Sequence, residues 1–207
     1  FKEYKQGRRP QRLNRFYEDI PDTIENRNRQ VKLIVDALKN VPVVQMYVSD
    51  CEADDVIGYL AKYTFNDTQC VIASSDKDLY QLVNERVRQW SPGQKLFITT
   101  EIIIDKFGIH PNNFCAARCF IGDSSDGISG IKGAGFKTMA KRFPGLLEEE
   151  DISVDDIIEA SVEQSKSSKV KLFTNIIESQ DIPRSNWKLM LLGTNNLSAD
   201  QINKISG

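Results

Sequence analysis

Apolar residues recur at Val31, Ile34, Val35 and Leu38, the spacing of one helix face, so a helix is predicted over residues 23–38. The run Pro42-Val43-Val44-Gln45-Met46-Tyr47-Val48 is short and continuous and reads as a buried strand. Ser49 or Asp50 is placed to cap a second helix with Val56, Ile57, Leu60 and Ala61 on its apolar face. Cys70-Val71-Ile72-Ala73 is a further buried strand, followed by a short helix over 76–82, and Val87-Arg88-Gln89-Trp90 is a third strand. Strands alternating with helices imply an α/β layer fold on a parallel sheet.

From residue 99 the pattern turns helical. Thr99 or Thr100 caps a helix that runs to Phe107 and stops at Gly108. Asn112 or Asn113 starts another, ending near Ile121-Gly122, and a glycine hairpin leads into a helix from Lys137. Later helices are predicted near 153–162 and 169–179. The chain therefore divides into an α/β core over 1–98 and a helical module over 99–207. Residues 1–16 are polar and basic, without period.

Charge distribution adds more than the net value of −2. Residues 1–15 hold six Lys/Arg against one acid, residues 130–142 hold Lys132, Lys137, Lys141 and Arg142 with no acid, and residues 146–163 hold eight acids and no base. Basic patches around an acidic centre suit a chain that holds a polyanion and binds metal; solvated surface charge is the plainer alternative. No run of about 18 apolar residues is present, which excludes a membrane-spanning helix. Cys51, Cys70, Cys115 and Cys119 lie among apolar neighbours. Reduced thiols of an intracellular, cytoplasmic protein fit them better than zinc, which needs four ligands at closed spacing. His110, before Pro111, reads as a turn residue.

Three acidic clusters carry the candidate chemistry. Glu52-Ala53-Asp54-Asp55 opens a helix after a strand, Asp76-Lys77-Asp78 follows the next strand, and Gly122-Asp123-Ser124-Ser125-Asp126-Gly127 ends a helix. Loops at the carboxyl ends of parallel strands gather on one sheet edge, so the first two clusters are expected to converge. Ionised carboxylates brought together require a counter-charge. Hard divalent cations, Mg²⁺ or Mn²⁺, are its natural source, and two of them about 4 Å apart clamp both reacting oxygens of a phosphodiester. Read singly, each cluster is also a helix cap.

Gly130-Ile131-Lys132-Gly133-Ala134-Gly135-Phe136-Lys137-Thr138 joins two helices directly after the third cluster. Its glycines open backbone N–H groups to a phosphate, and Lys132, Lys137 and Lys141 add Coulombic attraction. It is not a P-loop, since Gly-Lys-Ser/Thr is absent.

In order and spacing, these segments resemble the flap endonuclease and 5′–3′ exonuclease family, in particular the bacteriophage exonuclease or ribonuclease H type. Glu52-Ala53-Asp54-Asp55-Val56-Ile57-Gly58 is similar to its acidic helix motif. Ser74-Ser75-Asp76-Lys77-Asp78-Leu79 is similar to its second motif, and Gly122 to Thr138 to its third, joined to a helix–three-turn–helix DNA element. Phe1-Lys2-Glu3-Tyr4-Lys5-Gln6-Gly7-Arg8 resembles the base of the family's helical arch, placed here at about 1–30. The resemblance implies a PIN-like nuclease core that cuts DNA, or RNA primers, at 5′ ends, flaps and primer junctions. It implies that Glu52, Asp54 and Asp55 serve a first Mg²⁺, and that Asp76, Asp78, Asp123 and Asp126 serve a second, some through water. Lys5 and Arg8 would contact the scissile phosphate. Gly130, Lys132, Gly133, Gly135, Lys137, Thr138 and Lys141 would hold duplex DNA by its backbone, with K⁺ at the hairpin.

One departure matters. The family begins with a strand bearing an Asp, and a second Asp lies upstream of the Tyr-Lys segment; both would precede Phe1. The expectation is that the first metal site is half missing and that the chain as it stands cleaves poorly. Two rivals follow: a nuclease-derived DNA-binding module without activity, and a toxin-like ribonuclease, which would have no use for a duplex-gripping hairpin.

Overall fold

The computed structural model describes residues 23–207. Lys5, Arg8 and most of the arch segment lie outside the described residues. Helix α1, Ile24–Leu38, starts where Thr23 accepts a hydrogen bond from Asn26 N at 3.2 Å. Its register follows the predicted period, but none of its residues is buried. The run predicted as a buried strand is extended chain outside any ladder, and Val44 and Tyr47 are about nine-tenths exposed. Only Val48 of that run is buried, in a small cluster with Leu197 and Ile205. An apolar run needs a neighbouring strand edge to become a strand, and among the described residues none pairs with it.

Helix α2, Ala53–Tyr59, is capped by Glu52 rather than by Ser49 or Asp50, and continues into a π-helical turn, Leu60–Thr64. Strand β1, Cys70–Ala73, pairs in parallel with β2, Val87–Ser91, which pairs antiparallel with β3, Leu96–Ile98. The sheet is thus mixed, and only β1–β2 meets the expectation of parallel strands. Between them the predicted helix is a 3₁₀ turn, Asp78–Leu82. β3 was not anticipated from the sequence; its three residues are too few to show alternation, although Pro92-Gly93 marks the turn before it.

Beyond the sheet the chain is helical. α3, Thr100–Phe107, ends at Gly108 in the left-handed region, φ 68°. A 3₁₀ turn, Pro111–Asn113, precedes α4, Phe114–Ile121, and places His110 as a turn residue. α5 spans Phe136–Arg142, α6 Val154–Ser165, α7 Lys171–Glu178, α8 Asp181–Met190 and α9 Ala199–Ser206. The last two helices were missed in the sequence. α8 carries Pro183, but in its first turn, where no intrahelical donor is lost. The main core joins Tyr80, Val83 and Ile98 to the helices, with Phe114 at its centre. The Phe114 ring lies 5.3 Å from each of the Tyr80, Phe107 and Phe136 rings. No helix among the described residues is long and apolar enough to cross a membrane.

Candidate metal and nucleic-acid site

The first acidic cluster sits at the start of α2. Glu52 and Asp55 form a reciprocal capping box there, with Glu52 N donating to Asp55 Oδ2 at 3.2 Å. Helix capping is therefore one function of these carboxylates. The second cluster leaves the end of β1. Asp76 N donates to Ser74 Oγ at 3.1 Å and Asp78 N to Asp76 Oδ1 at 3.0 Å, which folds the loop tightly on itself. Gln89 on β2, fully buried, donates from Nε2 to Ser74 O at 2.8 Å and to Asp76 O at 2.7 Å. This glutamine fixes the loop to the sheet. Nothing local singles it out, since on β2 it stands between Arg88 and Trp90, and only the alternation of the strand turns its side chain inward.

The third cluster is a closed loop. Asp123 N donates to Ile128 O at 2.8 Å and Ile128 N to Asp123 O at 2.7 Å. Inside it, Asp123 Oδ1 accepts from Ser125 N at 2.8 Å and Ser125 Oγ at 2.5 Å. At its neck the backbones touch: a Cβ on Gly130 would lie 1.9 Å from Ile121 O, and one on Gly122, at φ 75°, would lie 2.5 Å from Gly130 N.

These segments meet. Glu52, Asp54, Asp55, Asp76, Asp78 and Asp126 line a single cavity of about 630 Å³, together with Lys188 of α8. Asp123 lines an adjoining hollow that shares Asp76 with the first. Arg118 of α4, which the sequence reading did not single out, supplies part of the counter-charge. It donates to Asp78 Oδ1 from Nε at 3.1 Å and from Nη2 at 2.9 Å, and to Asp123 Oδ2 from Nη2 at 2.5 Å. Burial pushes the Asp78 carboxyl above the usual carboxylate range, and Arg118 offsets only part of this. Burial acts on Asp123 in the same sense, but hydrogen bonds from Ser125 and Arg118 outweigh it and hold that carboxyl below its ordinary value.

Hard oxygen donors from three chain segments fit a hard divalent cation in kind. Among the described residues, however, no three Asp, Glu, His or Cys side chains stand close enough to hold an ion as they are. The donors would have to draw together on it. Cys115 and Cys119 are buried and free. A hydrogen bond with Cys115, together with burial, favours the protonated Cys119 thiol and pushes it far up.

The hairpin is pinned from behind and open in front. Ile131 N donates to Phe120 O at 2.7 Å, Asn175 Nδ2 to Lys132 O at 2.8 Å, and buried Asn186 donates to Cys119 O at 2.7 Å and Ser129 O at 2.8 Å. Phe136 is stacked on Phe114. Nothing approaches the positions where Gly133 and Gly135 would carry a Cβ, and Gly133 has φ 92°. Lys132, Lys137 and Lys141 are exposed, while Thr138 is half-buried.

Residues 1–108 match the profile of the 5′-3′ exonuclease N-terminal resolvase-like domain. The thermostable DNA polymerase I of Thermus thermophilus is 37% identical over 142 residues, 68% of this chain and 16% of that protein. The 5′-3′ exonuclease of Buchnera aphidicola (from Acyrthosiphon pisum) is 33% identical over 139 residues, 67% of this chain and 44% of that protein. The chain thus spans less than half the length of either relative. A bacteriophage T5 flap endonuclease solved in complex with DNA and metal ions superimposes with a TM-score of 0.70 at 19% identity, over 89% of this chain and 70% of that one. A zinc-bound T5 5′-exonuclease gives a TM-score of 0.69 at 20% identity, over 89% of this chain and 70% of that one. At such identity the likeness concerns the fold.

Proposed function

The chain belongs to the 5′-3′ exonuclease family, and from that premise we propose that it takes part in metal-dependent hydrolysis of phosphodiester bonds at the 5′ ends or flap junctions of duplex DNA, RNA primers included. The observation that carries this reading is the meeting of six carboxylates from three chain segments at one cavity, beside a lysine-bearing glycine hairpin. Glu52, Asp54 and Asp55 would hold one Mg²⁺ or Mn²⁺; Asp76, Asp78, Asp123 and Asp126 a second, some through water. A bound divalent ion supplies Lewis-acid stabilisation of the phosphoryl oxygens and a more acidic water. The chain's own part is to aim these carboxylates, through Gln89 and Arg118, and to hold the duplex. Gly130, Gly133 and Gly135 leave backbone N–H groups accessible, while Lys132, Lys137 and Lys141, with Thr138, track phosphates without reading sequence. The 130–138 segment, with its flanking helices, acts in this reading as the helix–three-turn–helix element, with K⁺ as its candidate ion. Lys5 and Arg8 remain the candidates for contact with the scissile phosphate. A duplex-binding module without hydrolysis is the second reading, favoured by the lack of a preassembled three-ligand cluster among the described residues.

The test combines Mn²⁺ calorimetry with cleavage of labelled flap, nicked duplex and single-stranded RNA. Asp76→Asn with Asp126→Asn is expected to abolish one Mn²⁺ binding event and the cleavage of flap substrates. Unchanged Mn²⁺ binding would remove these residues from the site, and duplex binding without any cleavage would establish the second reading. For the hairpin, Lys132→Ala and Lys137→Ala are each expected to lower the salt dependence of duplex binding by about one unit of slope, equally for all sequences. A loss confined to particular sequences would contradict a backbone grip.

A further inference from the structure

Arg118 has a side chain only 10% exposed. Its Nη1 donates to Gly122 O at 3.0 Å, and its other groups reach Asp78 and Asp123. One planar fork therefore joins the loop after β1 to the closed loop after α4. A buried arginine is costly unless it is paired, and here its hydrogen bonds go to Asp78, to Asp123 and to Gly122 beside Asp123. We infer that Arg118 is a positioning residue of the acidic site, holding the Asp78 and Asp123 carboxylates in fixed mutual orientation before a divalent cation arrives. This inference rests on the metal-binding reading above. Arginine suits the task because its fork engages two carboxylates at once, whereas lysine offers a point charge on a flexible stem.

Two effects of removing Arg118 have opposite signs. Partners that orient metal-binding groups typically contribute about 10–100-fold in metal affinity, so loss of orientation weakens binding. Loss of a cation near the site lowers Coulombic repulsion and strengthens binding. The sign of the change therefore separates positioning from mere charge.

The experiment is Mn²⁺ calorimetry on the full chain, comparing wild type, Arg118→Gln and Arg118→Lys, with melting curves recorded in EDTA. Arg118→Gln is expected to raise the Mn²⁺ dissociation constant about 10–100-fold. Arg118→Lys keeps the charge without the fork and is expected to shift it in the same direction. Cleavage by the variants should fall at low Mn²⁺ and recover as Mn²⁺ rises, a pattern that general damage to the fold does not give. Equal or tighter binding by Arg118→Gln, or wild-type affinity in Arg118→Lys, overturns the inference. If Arg118→Gln does not fold, the lysine variant decides by the same criterion. A wild-type chain that binds no Mn²⁺ overturns the metal-binding reading and this inference with it; wild-type binding with unaltered variants overturns this inference alone.

Discussion

Helices α1 and α4 both place apolar side chains at helical spacing, and they meet opposite fates. In α4, Phe114 through Phe120 are buried without a break, against α8 and the aromatic group of Tyr80, Phe107 and Phe136. In α1, Val31, Ile34, Val35 and Leu38 are exposed, as are Val43, Val44 and Tyr47 beyond it. Periodicity records what a helix is able to bury; a surface elsewhere in the structure decides whether it does. The two regions therefore make unequal contributions to stability: α4, apolar at every position but Arg118, is buried from Phe114 to Phe120, whereas the apolar face of α1 is exposed.

The sharpest way to probe that inequality is Phe114→Ala. Removing a fully buried ring at the centre of the core is expected to cost about 3–5 kcal/mol, read as a lower midpoint in urea with an unchanged slope. A cost under about 1 kcal/mol, the size of a typical single substitution, would mean that the core is far looser than its burial implies.

An intermediate effect is expected at the edge of the packed region, from Asp123→Asn. Because the folded-state value of Asp123 lies below its ordinary one, its charge contributes stability that is present above the unfolded value and lost as pH falls through the folded one. The deficit of the variant should be full at pH 7 and shrink below about pH 4, the usual carboxylate range. Asp78, shifted upward, acts in the reverse sense: its ionisation opposes folding, and that cost disappears as pH falls. Urea titrations at several pH values check both, and a deficit independent of pH would show that hydrogen bonding and not charge holds the loop.

The smallest effect should come from Ile34→Ala in α1, within about 0.5 kcal/mol of wild type. A loss of several kcal/mol there would abolish the contrast and show that this face is packed in solution.

The same contrast explains what the sequence disclosed. Helices α3 to α7 were legible from their apolar faces, helped at α3 by Thr99 before it and Gly108 after it and at α4 by Gly122. Asp76 and Asp78 line one cavity with Glu52, Asp54 and Asp55; the second cluster does follow strand β1, but the first follows extended chain and not the strand expected before it. The Pro42–Val48 run was misread because a strand is defined by its partner, which local composition does not contain. Arg118 and Gln89 escaped for a related reason. Arg118 is one polar residue in an apolar stretch and Gln89 sits beside Arg88 in a short strand, and the meaning of each depends on a loop forty or about fifteen positions away in the chain. α8 was hidden by Pro183, whose effect depends on whether it falls in the first turn or later.

The touching backbones of Gly122 and Gly130 bear on how this chain tolerates change in length. The neck closes the intervening residues into a ring of set circumference, since neither glycine admits even a methyl group without displacing the other strand of the neck. An insertion inside the ring has nowhere to go but outward, taking Asp123 or Asp126 with it, and a deletion would break the paired bonds between Asp123 and Ile128. Beyond the neck, around Gly133 and Gly135, the surroundings are open. Length drift in descendants of this sequence should therefore collect at the hairpin tip and be purged from the acidic loop, so that the tip is free to diversify while the loop that bears the carboxylates is inherited as a cassette.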